Sequence, residues 1–241
     1  MEWFTGTAVL IIALLYSIVG HAGASGYIAV LALAGTPAEE LRSSALVLNI
    51  LVSLITTVQF LRNGHWSARL FFPCTMASVP LAALGGTITL PASVLHMIIG
   101  LVLMYAAAVM VVRAHESESF TVPPLPVLFL LGGTIGFVSG MIGVGGGIFL
   151  TPVLIAMRWA GTKTAAGVSS VFILLNSLAG LAGAAYGGGI HLSAHMLIMA
   201  VAVAIGGGIG ATLGSGLLSV VSLKRTLAAV LIVAAGKLML V

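Results

Sequence analysis

Two glycine-rich runs carry the most specific chemistry in the chain. Gly20-His-Ala-Gly23-Ala-Ser25-Gly26 lies 120 residues before Gly140-Met-Ile-Gly143-Val-Gly145-Gly146, and Gly147 follows the second run. A glycine break between apolar helices exposes main-chain N–H groups, and the dipole of the helix that follows favours an anion. Gly23, Ser25, Gly26, Gly143, Gly145, Gly146 and Gly147 are therefore candidate anion-binding residues. Ser43, Ser44, Asn49, Ser169, Ser170 and Asn176 are neutral donors in the segments that follow the breaks. They could line the same cavity and hold an oxyanion without a buried counter-charge. His21 stands inside the first run, where the glycine pattern aligns it with Met141. Histidine titrates near neutrality, so His21 is the candidate for coupling to protons. The competing reading of the glycines is close helix packing, which Gly206–Gly208 and Gly187–Gly189 also suggest.

Other chemistries fit poorly. No Lys-Ser/Thr follows the glycines, so the second run is not a nucleotide P-loop. Gly23-Ala-Ser25-Gly26 has the form of a serine nucleophile motif, with His21 or His96 as base, which makes an intramembrane serine protease one alternative. His191 and His195 are four apart, the spacing of two metal ligands on one helical face, so a transition-metal permease or channel is another. No carboxylate or cysteine stands near that pair, and no metal or cofactor is expected. Cys74 is the single cysteine and reads as a small packing residue.

The elements that position these residues follow from composition. The chain has 241 residues, 60% hydrophobic and 6% charged, against roughly 25% charged in soluble domains. That excludes a soluble enzyme and a disordered chain. The nine basic residues are dispersed, so no nucleic-acid partner is expected. Segments such as 98–112 are apolar all round, which favours membrane helices over barrel strands. Charges are absent from 3–38, 43–61, 70–112, 119–157 and 164–223. About 20 apolar residues cross a bilayer, which gives spans at 40–61, 68–88, 93–112, 164–186, 194–214 and 223–240. Helices at 3–19 and 125–141 each precede a break, at 20–26 and 143–147, and a short apolar piece, at 27–34 and 148–158. Eight residues from Tyr27 to Ala34 rise only about 12 Å as a helix, so each helix and its short piece is expected to turn back inside the membrane.

The pattern occurs twice. Gly35-Thr36 and Gly161-Thr162, Ser43-Ser44 and Ser169-Ser170, and His65-Trp-Ser67 and His191-Leu-Ser193 share a spacing of 126. A repeat of half the chain indicates a duplicated transporter fold: a first repeat over 1–112, a linker at 113–126 and a second repeat over 127–241. If the second half is inverted, Arg62, Arg69, Arg113, Arg158, Lys163, Lys224 and Arg225 collect on one face, which is then cytoplasmic. Both termini then face outward. Glu39, Glu40 and Arg42 fall on the outer side, and Lys237 is the misfit. In an inverted pair the two breaks are expected to approach from opposite faces and meet near the midplane.

Gly140-Met-Ile-Gly-Val-Gly-Gly-Gly-Ile-Phe-Leu-Thr-Pro152, Gly167-Val-Ser-Ser170 and the weaker first copy resemble the sulfite exporter TauE/SafE family of membrane transporters. The resemblance covers essentially the whole chain. It implies a prokaryotic inner-membrane secondary transporter, exporting sulfite, organosulfonates or related small anions and lacking enzymatic activity. The expected partners are the anion and membrane lipid, with the protein a monomer or a homodimer.

Overall fold

The computed structural model describes residues 2–88, 104 and 119–240. The expected span at 93–112 and most of the linker fall outside them. Among the described residues the fold is all-α. The helices are α1 (Glu2–Ile18), α2 (Ala24–Leu33), α3 (Ala38–Arg62), α4 (Ala68–Gly86), α5 (Leu125–Ile142), α6 (Gly147–Ala156), α7 (Thr162–Gly187), α8 (Met196–Thr212) and α9 (Val220–Leu240). A π-turn, Leu213–Leu217, continues α8. Five of these helices are long and apolar enough to cross a membrane: Glu40–Arg62, Ala68–Gly86, Leu125–Ile142, Thr162–Gly187 and Met196–Leu217. Polar residues are sparse in them because the hydrocarbon core satisfies no hydrogen bond.

Each half repeats one order: helix, glycine break, ten-residue helix, long helix, helix. The packing repeats too. The α4–α5 contact has its counterpart in α8–α1, and α2–α3 in α6–α7. The central pair is α3 and α7. Thr57 bonds Ser170 and Asn49 reaches Ser177, so these equivalent helices run antiparallel.

Glycine stripes set the two closest helix pairs. Carbon atoms added at Gly132, Gly136 and Gly140 of α5 would overlap the main chain of Cys74, Ser78 and Ala82 in α4. Gly206, Gly210 and Gly214 do the same against Leu10, Leu14 and Ile18 of α1. Without side chains at these positions the backbones touch, which supplies the packing that drives association in lipid. The packing role expected of Gly206 and Gly207 holds. Gly208 faces open space, Gly188 does too, and Gly189 turns the loop at φ 99°, so these three do not pack.

Both α1–α2 and α5–α6 fold back as hairpins. Tyr16 meets Ser25 across the first. In the second, Thr121 N donates to Arg158 O at 2.9 Å, tying the residues before α5 to those after α6. The breaks are the hairpin tips. Ten residues span only about 15 Å, so neither α2 nor α6 crosses a membrane on its own.

The structure resets the repeat register at these tips. Gly20 (φ 76°) corresponds to Gly143 (φ 84°), and Gly23 and Gly146 are the left-handed N-caps of α2 and α6. The spacing is 123, not 120, because the glycine triplets match one step out of phase with the helix ends. Val144, not Met141, therefore occupies the place of His21. The 126 spacing of Gly35 with Gly161 is also sequence coincidence: Gly35 (φ 79°) is matched by Arg158 (φ 57°), while Gly161 is extended at the N-cap of α7.

Candidate functional site

The second tip is wholly buried and ringed by polar groups from three helices. Asn49 of α3 donates through Nδ2 to Val144 O at 3.2 Å and to Ser177 Oγ of α7 at 3.5 Å. Its Oδ1 is buried with no partner, as is Ser139 Oγ of α5. Gly145 has φ 77°, and a carbon added there would lie 2.7 Å from Ile173 Cγ2, 2.8 Å from Ser177 Oγ and 3.0 Å from Asn49 Nδ2. At the start of the tip, Gly143 lies against the stem of Arg42, with its added carbon 2.8 Å from Cγ. Arg42 and Asn49 are seven residues apart and so share one face of α3, which places both against this tip.

The first tip is satisfied differently. Tyr16 OH and Ser25 Oγ are 3.0 Å apart, and Tyr27 OH donates to Ala22 O. Gly23 and Gly26 pack on Ile12. His21, 1% exposed, places Nε2 2.8 Å from Thr151 Oγ1, and Thr151 donates onward to Ser169 Oγ at 2.7 Å. Because the Thr151 proton is committed to Ser169, His21 Nε2 must be the donor in its bond. That leaves Nδ1 as a buried acceptor without a partner.

The two tips do not meet each other. Gly20 rests on Ala166 of α7, whereas Gly145 rests on Ile173 and Ser177. Those contacts are seven to eleven residues apart, about 10–16 Å along the helix. The hairpins overlap in depth and pass each other, so His21 touches the middle of α6 rather than the opposite break.

The remaining expected residues scatter. Ser44 Oγ accepts from Ser193 N at 3.0 Å and anchors the loop before α8. Ser43 is buried on the same turn of α3. Ser170 donates to Gly167 O and accepts from Thr57. Asn176 Nδ2 bonds Phe172 O within its own helix and leaves Oδ1 unpartnered. Gly147 packs on Ile173. Arg42, Ser139, Thr151 and Ser177 were not among the sequence candidates.

Two alternatives lose their geometry. His191 lies in the loop preceding α8 with Nε2 toward Gly188 O, and His195 is the residue before the helix, so they do not share a helical face. No metal-binding group of three or more ligands exists among the described residues. The hydroxyl of Ser25 is held by Tyr16, and His21 Nε2 by Thr151, so they form no nucleophile–base pair; His96, the other base considered, lies outside the described residues.

At the end where α1 and α3 begin, a cavity of about 310 Å³ is lined by Thr5, Leu31, Thr36, Glu40, Ser193 and His195, among others. A buried polar tip and a cavity at one helical end suit passage of a small solute. The sulfite exporter TauE/SafE family model matches residues 6–238. The chain belongs to the TauE/SafE family. It is also 40% identical over 237 residues to "Probable membrane transporter protein y4hK" of Sinorhizobium fredii (strain NBRC 101917 / NGR234), covering 96% of each chain. No solved structure matches it. As a TauE/SafE protein it is a multi-pass membrane transporter and not an enzyme.

Proposed function

We propose that this TauE/SafE protein is a secondary transporter that exports small sulfur-containing anions, sulfite or organosulfonates, from the cytoplasm across the inner membrane. The carrying observation is the second tip. Asn49 Oδ1 and Ser139 Oγ are buried there without partners, and each such group costs about 1–3 kcal/mol. A transporter retains such groups where its cargo completes them. Gly143 to Gly147 bring the main chain close enough to share in that contact. The antiparallel run of α3 and α7 supports an inverted repeat with both termini outside.

His21 is the proposed coupling residue. A proton on Nδ1 would charge the first tip, where the neighbouring titratable groups are Tyr16 and Tyr27. The α6 segment against His21, GIFLTPVLIA, carries none. The test is flux in proteoliposomes with sulfite, thiosulfate, taurine and ethanesulfonate under imposed anion or proton gradients. Movement of at least one sulfur anion is expected, accelerated by a proton gradient. No movement of any of them under either gradient would overturn the proposal.

A further inference from the structure

The one guanidinium at the second tip has an arrangement that helix capping alone does not explain. Arg42 NH2 donates to Gly86 O at 2.7 Å and to Gly140 O at 2.6 Å, and NH1 reaches Ile88 O at 3.4 Å. These carbonyls belong to the C-terminal ends of α4 and α5, whose dipoles favour a cation. Its Nε–H, however, is buried and donates to nothing, and among the described residues no carboxylate pairs with the guanidinium. A part-buried cation whose partners among the described residues are neutral carbonyls is incompletely compensated by them. The stem that carries it lies against Gly143, on the α3 face that also presents Asn49. Asn49 is 0% exposed and Ser139 1%.

We propose that Arg42 is a cargo-binding residue, and that the second tip takes a monoanionic sulfur oxyanion that itself carries an O–H or N–H donor. This rests on the transporter reading above and names its site and ligand class. The oxyanion faces Arg42 Nε–H. Asn49 Nδ2 is committed to Val144 O, so its free Oδ1 cannot face negative oxygen and instead accepts from the ligand's donor. Ser139 Oγ fits either role. One fixed positive charge selects a monoanion over a dianion.

The experiment measures dissociation constants by calorimetry on the intact protein in detergent. Isethionate and taurine carry donors, ethanesulfonate is their donor-free analogue, and sulfate is the dianion. Wild type should bind isethionate or taurine more tightly than ethanesulfonate, and sulfate weakest. Arg42→Gln should weaken isethionate about ten- to hundredfold, the range for a hydrogen bond to a charged group. Arg42→Lys should recover most of that loss. Ser139→Ala leaves the clamp on α4 and α5 intact and should weaken binding on its own. The melting point of the ligand-free protein is recorded separately. If Arg42→Gln lowers that melting point but leaves the dissociation constant unchanged, Arg42 is a helix clamp only and the inference is overturned while the transporter reading stands. If Arg42→Gln fails to fold, Ser139→Ala decides: unchanged affinity in that variant overturns the inference. If wild type binds no member of the panel and moves none in liposomes, the transporter reading fails first.

Discussion

The packing of the second tip predicts a graded response to one added carbon. Gly35 (φ 79°), Gly64 (φ 75°) and Gly145 (φ 77°) share a left-handed backbone, but nothing lies within 4 Å of a carbon added at Gly35 or Gly64. Alanine at these two positions should therefore cost only the left-handed conformation, about 1–2 kcal/mol. Gly145→Ala bears that same cost and also drives its carbon to 2.7 Å from Ile173 Cγ2 and 2.8 Å from Ser177 Oγ. Overpacking of a tight core adds about 1–3 kcal/mol, for a total of about 2–5 kcal/mol. At ~2–4 °C per kcal/mol for a chain of this size, the two loop variants should melt roughly 2–8 °C below wild type. Gly145→Ala should fall roughly 4–20 °C. Thermal melting of the three purified variants in one detergent, with size exclusion to confirm dispersity, makes the comparison. A Gly145→Ala drop no larger than that of Gly35→Ala would mean the tip has room, and the packing argument would be wrong.

Gly136→Val places side-chain carbon against the Ser78 carbonyl and should prise α4 from α5 at a cost of about 1–3 kcal/mol or more; Gly208→Val, in open space, should be near neutral in the same melt. His21→Gln should alter the dependence of flux on pH; an unchanged profile would remove His21 from coupling. In a Cys74→Ser background, single cysteines at Thr36, Gly64 and Gly188 should show opposed labelling by an impermeant maleimide. Thr36 and Gly188 should label from outside, and Gly64 from the cytoplasm. Labelling of Gly188 from the cytoplasmic side would refute the inverted arrangement.

Helix ends and breaks were legible because apolar runs, charge clusters and glycines punctuate a membrane chain sharply. The expected break at 143–147 falls within a residue of the observed tip, Gly143 to Gly146. The spacing of Gly132, Gly136 and Gly140 at every fourth residue also announces a helix contact, though not which helix it meets. The repeat register was less legible. Glycines recur every third residue in both runs, so several alignments score alike, and only the φ values choose among them. Ser139, Thr151 and Ser177 carried no signal, since a lone hydroxyl in an apolar helix looks the same whether it faces lipid, backbone or a site. Arg42 was obscured by its neighbours. Sequence groups it with Glu39 and Glu40 as an outer-face charge, whereas the folded α3 turns its guanidinium inward to α4 and α5.

The two hairpins differ at the place where each meets a long helix of the other half. Gly20 abuts Ala166, and Gly143 abuts Arg42. Both contacts involve the fifth residue of a long helix, α7 in one case and α3 in the other. The first tip thus meets the main chain and methyl group of Ala166, and the second the stem of an arginine whose guanidinium is held at the ends of α4 and α5. The polar groups follow suit. The first tip pairs Tyr16 with Ser25 and Tyr27 with Ala22, and leaves Ser17 Oγ and His21 Nδ1 open. The second leaves open groups on Arg42, Asn49 and Ser139. Two equivalent cargo sites would call for equivalent residues, and these are not equivalent. The asymmetry favours a division in which the second hairpin recognises the anion and the first carries the proton. The chain His21–Thr151–Ser169 links them, because Thr151 stands one turn beyond Gly147 on the hairpin proposed to hold the anion. A shift of α6 on cargo binding would break or remake the bond that fixes the His21 tautomer, which is how one site would sense the other.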